Sequence, residues 1–95
     1  MTGRMVSGEE AVRIGLATRT AADLRAEAVA LAREIASKSP EAVRGAKQLF
    51  NHAPTATVAD QLALERATIA PLIGSPNQRE AIRAYFEKRS PSFTD

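Results

Sequence analysis

Cysteine and tryptophan are absent from this sequence of 95 residues, and it holds a single histidine and four aromatic residues. The lack of cysteine excludes disulfides and thiolate chemistry and is compatible with a reducing compartment, so we expect a cytoplasmic protein. His52 has no cysteine or second histidine near it in the sequence, so no metal site is predicted. No apolar run approaches the roughly 18 residues of a membrane span, and residues 1–4 lack the apolar stretch of a signal peptide.

Alanine dominates the apolar residues that are present. Of the 42 apolar residues, which make up 44% of the chain, 19 are alanine and only 17 are isoleucine, leucine or valine. A chain of this length should form one domain and bury only about 60 to 65% of the surface that its unfolded form exposes. So thin a core indicates that some apolar surface belongs to an interface, either with copies of the chain or with another domain.

Charges of both signs are interleaved along the chain. Thirteen lysines and arginines stand against eleven aspartates and glutamates, which gives a net charge of +2. A nucleic-acid-binding protein usually carries a basic stripe, and none is present in this pattern. We therefore expect no nucleic-acid partner.

Capping residues, prolines and glycines divide the chain into five predicted helices. Ser7 followed by Glu10 has the form of a capping box, and Gly15 can take the left-handed conformation that ends a helix. Ser39 precedes a proline, as is common at a helix start, whereas Pro71 should kink or stop the fourth helix. The predicted fold is one all-α domain with helices over 8–14, 21–37, 40–52, 58–73 and 76–89, and with a connector or short edge strand over 16–20.

Apolar residues at helical spacing predict the buried face of each longer helix. The predicted stripes are, from the second helix to the fifth, Leu24, Ala28, Leu31, Ala32 and Ile35; Val43, Ala46 and Phe50; Val58, Leu62, Ile69 and Leu72; and Ile82 with Phe86.

No polar cluster in the first four helices has the pattern of a catalytic site. Glu9 and Glu10 stand in a first helical turn, where carboxylates complement the helix dipole, so capping is favoured over acid/base chemistry. His52 falls in a last helical turn and has no carboxylate or nucleophile placed to work with it. Lys47 and Glu65 lie on helices joined by a short connector, and we interpret them as an ion pair between those helices.

The end of the last predicted helix, AYFEKRSPSF (residues 84–93), differs from the other segments. Tyr85, Lys88 and Arg89 share one face at the spacing i, i+3 and i+4, beside the face of Phe86. A ring beside two cations suits a ligand that carries both a stackable base and phosphate. A solvated basic helix end is the alternative from spacing alone.

Four segments of the chain, taken in order, resemble a known family. They are TGRMVSGEEAVRIGLATR (2–19), ALAREIASKSPEAVRGAKQLF (30–50), LALE (62–65) and REAIRAYFEKRSPSF (79–93). In this order they are similar to the C-terminal part of the enoyl-CoA hydratase/isomerase family, also called the crotonase family. The resemblance covers nearly the whole chain.

This resemblance implies one portion of an enzyme of acyl-CoA or fatty-acid metabolism. Family members have an N-terminal spiral of ββα turns, which carries the oxyanion hole and the acid/base glutamates, and then a helical portion that forms trimers or hexamers. No residue of this sequence matches those catalytic groups. We therefore assign no catalytic residue and expect the chain to be inactive alone, with hydratase and isomerase both left open.

A coenzyme A site is also implied by the resemblance. In the family the aromatic residue and the lysine of this segment approach the adenine and 3′-phosphate of coenzyme A, commonly from a neighbouring subunit. The matching residues are Tyr85, where phenylalanine is more usual, and Lys88, with Arg89 as a weaker third contact. The expected ligand is a coenzyme A thioester with no cofactor bound covalently, and the expected assembly is a homo-oligomer: a dimer, trimer or hexamer.

A second hypothesis stays open at this point. The chain would then be a non-catalytic helical module for oligomerisation or interaction that has lost coenzyme A chemistry. Substitution of Tyr85 and Lys88 should separate the two hypotheses, since only the first predicts a loss of affinity for coenzyme A.

Overall fold

The computed structural model describes residues 3–95, which contain five α-helices and no β-strand. The predicted all-α class is confirmed. Two turns of 3-10 helix follow α3 and α4, at Ala53–Thr55 and Ala70–Leu72, and two compact units can be distinguished, one up to Ala32 and the other Arg33–Asp95. The helices are α1 (Gly8–Arg13), α2 (Leu24–Ala36), α3 (Pro40–His52), α4 (Val58–Ile69) and α5 (Pro76–Phe86).

Side-chain caps fix the start of every helix. At α1, α3, α4 and α5 a serine or threonine oxygen accepts the backbone N–H three residues further on. The second helix begins at Leu24 instead of residue 21, because the Asp23 carboxylate accepts the N–H of Ala26 at 3.0 Å. The side-chain carboxylate of an aspartate cap accepts a backbone N–H that has no partner within the helix, so it sets the first turn.

Only half of the predicted capping box forms at α1. The Ser7 hydroxyl accepts the N–H of Glu10 at 3.2 Å, as expected. The Glu10 carboxylate instead accepts two hydrogen bonds from Arg4, at 2.8 and 2.9 Å, and no bond from it to the Ser7 N–H is present. A bidentate, charge-assisted contact of this kind is stronger than a bond to a neutral N–H.

The connector over residues 16–20 is irregular and does not form an edge strand. Gly15 takes the left-handed conformation expected of it, with φ +76°. The N–H groups of Leu16 and Ala17 then both donate to the carbonyl of Ala11, at 2.8 and 3.1 Å. These bonds hold residues 16 and 17 in a turn at the end of α1, so no extended segment forms there.

Proline and local caps also shorten the helices at their ends. The fourth helix stops at Ile69, and Pro71 lies in the 3-10 turn that follows, so the helix does not reach the predicted residue 73. Pro71 has no N–H for the carbonyl four residues before it, which is why the α-helical bonding cannot continue. Gly74, with φ +76°, then reverses the chain before α5.

The contact between α3 and α4 is made by different residues from those predicted. Gly45 is buried, whereas Ala46 is exposed and Phe50 is 74% exposed. His52 and Gln61 join the helices at the same interface, with the Gln61 Oε1 2.9 Å from the His52 Nδ1. The glycine has no side chain to hold the helices apart, so they approach closely here. Of the predicted stripe on α3 only Val43 is half-buried.

Gly45→Ala should lower the free energy of unfolding by about 1 kcal/mol. A Cβ at this position would stand 2.8 Å from the Thr68 Cγ2, and overpacking of this kind costs about 1–3 kcal/mol, against about 1 kcal/mol gained in helix propensity. Urea denaturation checks the result. In a Thr68→Ser background the clashing methyl group is gone, so the same substitution should instead stabilise the protein; stabilisation in the wild-type background would contradict the close contact.

The other predicted apolar stripes are largely exposed. On α2 all five stripe residues are exposed, and on α4 only Leu72, in the turn after the helix, is half-buried. The inward face of α5 carries Asn77 and Ala84, both 2% exposed, while Ile82 and Phe86 point outward. Within residues 3–95 no helix combines the length and the apolar character that crossing a membrane requires.

The predicted ion pair between Lys47 and Glu65 does not form. Both side chains are exposed, and among the described residues neither has an ion-pair partner. The two helices meet instead through Gly45 and through His52 with Gln61, whose Nε2 also donates to the Leu49 carbonyl at 3.3 Å. His52 thus has a structural hydrogen bond at the end of α3.

Candidate functional site

The last helix ends earlier than its sequence pattern predicts. It stops at Phe86, and Lys88 takes a left-handed conformation with φ +53°. The N–H of Arg89 donates to the Ala84 carbonyl at 3.1 Å and that of Lys88 to the Tyr85 carbonyl at 3.3 Å. These two bonds define a Schellman motif, in which Lys88 occupies the position that usually holds glycine. The prediction of a single helical face for Tyr85, Lys88 and Arg89 is therefore wrong, because the helical spacing does not extend past Phe86.

Arg89 is held by acidic side chains of the same segment. Its guanidinium donates to both oxygens of Glu80, at 2.6 and 3.1 Å, and its Nε donates to Glu87 at 2.6 Å. The Glu80 carboxylate also accepts the N–H of Ser92 at 2.9 Å. These contacts, which we call the clasp, tie the residues after α5 back onto the helix.

The clasp changes the acid–base properties of both partners. The hydrogen bonds from Arg89 and from the Ser92 N–H lower the pKa of Glu80 from 4.5 to about 2. The same contact with Glu80, with help from Glu87, raises the pKa of Arg89 above its ordinary value. Both groups are therefore fully charged at neutral pH.

Acid should release the Ser92 N–H from the Glu80 carboxylate, while the bonds between Asn77 and Thr94, which involve no titrating group, remain. Because the pKa of Glu80 is lower in the folded than in the unfolded chain, its stabilising contribution is complete above about pH 4.5 and is lost as the pH falls towards 2. We expect the Ser92 amide resonance to shift over this range in the wild-type protein and in a Glu65→Gln control. In Glu80→Gln that shift should be missing. A Ser92 amide that stays unchanged down to pH 2 would contradict the clasp.

A second set of hydrogen bonds fastens the final residues. The buried Asn77 side chain donates to the Thr94 carbonyl at 2.8 Å and accepts from the Thr94 N–H at 3.0 Å and hydroxyl at 3.3 Å. Pro91 and Phe93 are half-buried between these two attachments. Residues 90–95, which we call the tail, are thus attached to α5 at Ser92 and Thr94, and Asp95 accepts a hydrogen bond from Arg44 of α3 at 2.8 Å.

A groove of about 630 Å³ runs between the turn after α2 and the end of α5. Alanines of both helices, with Pro91 and Phe93 from the tail, form its apolar walls. Tyr85, which is 79% exposed, and Arg89 line it on the side of α5, and Lys38 lines it on the side of the turn. An aromatic ring, two cations and an apolar floor form a surface suited to a planar base that carries phosphate.

The predicted binding residues are distributed unevenly over this surface. Tyr85 and Arg89 line the groove together, whereas Lys88, on the left-handed turn, does not line it. Lys38, Asn77 and Glu80 were not predicted as parts of the site. Asn77 contacts a residue 17 positions further along the chain, and Glu80 contacts residues 9 and 12 positions further along. Helical spacing in the sequence does not reveal contacts over such separations.

Comparison with known proteins identifies the family to which this helical chain belongs. The sequence model described as enoyl-CoA hydratase/isomerase matches residues 1–95, the whole chain. The chain belongs to this family. Its resemblance, first noted on four short segments, is therefore confirmed.

Relatives within the enoyl-CoA hydratase/isomerase family are longer than this chain. The chain is similar to "Probable enoyl-CoA hydratase echA8" of Mycobacterium leprae, with 38% identity over 96 positions that cover 99% of the chain and 37% of that protein. Crystal structures of an enoyl-CoA hydratase from Polaromonas sp. JS666 and of the enoyl-CoA hydratase EchA1 from Mycobacterium marinum are similar as well. The first has a TM-score of 0.82, with 30% identity over 97% of this chain and 37% of the solved one. The second has a TM-score of 0.84, with 27% identity over 98% and 38%.

The chain therefore spans little more than a third of the length of the hydratases it matches. An all-helical segment of this size is consistent with a C-terminal portion of the crotonase fold. The groove, the clasp and the tail all lie within that segment of the enoyl-CoA hydratase/isomerase fold.

Proposed function

We propose that this chain is the portion of an enoyl-CoA hydratase or isomerase that contributes to coenzyme A binding and holds subunits together. The observation that carries the proposal is Tyr85, an aromatic side chain 79% exposed beside a groove, within a segment that resembles the family's coenzyme A contact. An exposed aromatic ring stabilises the isolated chain little, but it can stack on a base. The reaction and its acyl-CoA substrate, in fatty-acid-type metabolism, would require catalytic groups from the rest of the enzyme.

Tyr85 and Lys88 are the proposed contacts to the nucleotide end of coenzyme A. Lys88 has no ion-pair partner among the described residues, so its charge is available to a phosphate. Arg89 is proposed as a weaker contact, since three of its nitrogens already donate to Glu80 and Glu87. Its main proposed role is to hold the turn that presents Lys88. No covalently bound cofactor is proposed, and a cytoplasmic location is proposed in line with the absence of cysteine.

An enzymatic assay tests the proposal on two forms of the protein. In the first, the 95 residues replace the matching segment of the Mycobacterium leprae relative; the second is the 95-residue chain alone. We expect the fusion to consume an enoyl-CoA thioester, as measured by loss of its absorbance, and the chain alone to give no rate above background. Each oxyanion-hole donor is worth about 10²–10³ in rate, so a chain without them should be inactive. Equal rates from both forms would contradict the proposal.

Binding measurements on the same fusion separate this proposal from a purely structural module. Tyr85→Ala combined with Lys88→Ala should raise the Kd for coenzyme A, whereas the exposed Lys47→Ala is the matched control and should leave it unchanged. An unchanged Kd in the double variant would leave only the reading of the chain as a non-catalytic helical module.

Exposed apolar residues of Arg33–Asp95 support the proposed homo-oligomer. Val58, Leu62 and Ile69 are exposed along α4, and Phe50 is exposed on α3. Apolar side chains spaced along one helix favour contact with a second copy. Light scattering at two concentrations should give a mass above the 10.2 kDa of one chain. The variant Leu62→Glu should reduce it; a 10.2 kDa species from the wild-type chain at both concentrations would exclude the oligomer.

A further inference from the structure

Lys38 and Tyr85 line the same groove from distant parts of the chain. Lys38 stands in the turn between α2 and α3, and Tyr85 stands in the last turn of α5. Both belong to the unit Arg33–Asp95. The groove therefore has a cation on one side and an exposed aromatic ring on the other, a pairing that the order of residues in the sequence does not reveal.

The two cations that line the groove differ in their availability to a ligand. Arg89 faces two carboxylates, Glu80 and Glu87, so the local charge around it is already compensated. For Lys38 no carboxylate lies within 4.0 Å anywhere in residues 3–95. Of the two cations that line the groove, Lys38 is therefore the one whose positive charge no carboxylate offsets, and it would attract an anion that enters the groove.

We propose that Lys38 is a phosphate-binding residue of the coenzyme A site, placed across the groove from Tyr85. This inference rests on the proposed function. It adds to the proposed site a residue that lies outside residues 84–93, the segment that resembles the family's coenzyme A contact. The nucleotide end of coenzyme A carries a 3′-phosphate and a 5′-diphosphate, so it can engage more than one lysine. Lys88 lies outside the groove and would meet a different phosphate from Lys38.

The lining of the groove fits such a ligand in size and in chemistry. Its volume of about 630 Å³ lies within the range of about 300–1,000 Å³ typical of small-molecule sites. Ser37, Ser39 and Ser90 place hydroxyl groups among its apolar residues. Hydroxyl groups and a lysine ammonium are ordinary partners of phosphate oxygens, and the apolar wall offers a surface to the base.

An NMR titration of the 95-residue chain tests this inference. The probe is adenosine 3′,5′-bisphosphate, and unphosphorylated adenosine serves as the comparison. We expect the bisphosphate to shift the amide resonances of residues 37–39 and of Tyr85 in parallel. Lys38→Ala should weaken binding of the bisphosphate about fivefold, and Lys38→Glu should weaken it more, with binding of adenosine unchanged in both. Lys47→Ala carries the same loss of charge on an exposed face of α3 and should bind as the wild type does.

Several results would overturn the role of Lys38. Shifts at Tyr85 and residues 87–89 without any at 37–39 would place the phosphate elsewhere and leave the proposed function standing. An equal loss of affinity for adenosine and for the bisphosphate in Lys38→Ala would show that the lysine does not act on phosphate. The lack of any shift at millimolar bisphosphate would exclude the groove as a nucleotide site. The proposed function itself is decided separately, by the rate of the fusion enzyme and its Kd for coenzyme A.

Discussion

Asn77→Ala should release Thr94 from α5 and lower the free energy of unfolding by about 2 kcal/mol. The Asn77 side chain is 2% exposed and makes three hydrogen bonds to Thr94, two of them to its backbone. The loss of one partner of a buried hydrogen bond costs about 1–3 kcal/mol. Native proteins are stable by only about 5–15 kcal/mol, so such a loss is large in a chain this short.

Two measurements check the expected effect of Asn77→Ala. Urea denaturation should show a lower midpoint, and hydrogen exchange of the Thr94 amide should accelerate to the rate of an unstructured residue. Arg79→Ala changes an exposed residue of the same helix and is the control. Thr94→Ala removes only the longest of the three bonds, so it should cost a few tenths of a kcal/mol. A protected Thr94 amide in Asn77→Ala would show that the tail is held mainly by the clasp.

Helix positions were predictable because the signals that set them are local. Each serine or threonine cap acts on the N–H three residues further on, and Pro71 acts on the carbonyl four residues before it. Such short-range rules need no knowledge of the rest of the fold. The error over residues 21–23 arose because Asp23 was not recognised as a cap.

Buried faces were not predictable, because in this chain apolar periodicity marks a different surface. The residues that α3 and α5 turn inward include Gly45, Asn77 and Ala84, which are small or polar. Large apolar residues such as Phe50 and Phe86 remain exposed. The chain spans about a third of its relatives' length, so its most apolar stripe can pack against another part of a longer protein or against another copy of the chain. A rule that assigns that stripe to the chain's own core therefore fails.

The candidate site was predictable only in Tyr85 and Arg89, the two predicted residues that line the groove. Tyr85 was identified from its spacing and from the family resemblance, and the structure places it at a groove. Lys38 could not be connected with it, because their proximity depends on how the turn after α2 meets α5. The prediction that Lys88 shares a helical face with Tyr85 was wrong, because α5 ends at Phe86 and Lys88 takes a left-handed conformation.

Lys88→Gly should change stability and ligand affinity in opposite directions. A left-handed conformation costs a non-glycine residue about 1 kcal/mol, so glycine at this position should raise the free energy of unfolding by about that amount. The same substitution removes an ammonium group that we propose to bind phosphate. We therefore expect the Kd of the fusion enzyme for coenzyme A to rise about fivefold, in keeping with about 1 kcal/mol for an exposed charge pair.

Lys88→Ala separates the two effects. Alanine removes the charge but keeps a Cβ in the left-handed region, so affinity should fall as in the glycine variant without the gain in stability. If Lys88 were only a helix cap, the glycine variant would be more stable and would bind coenzyme A as tightly as the wild-type protein does. Glycine suits the left-handed backbone at this position better than lysine, so Lys88 carries a cost in stability that its proposed contact with phosphate would explain. Reduced affinity in both variants, together with increased stability in the glycine variant alone, would therefore identify the turn after α5 as part of the coenzyme A site.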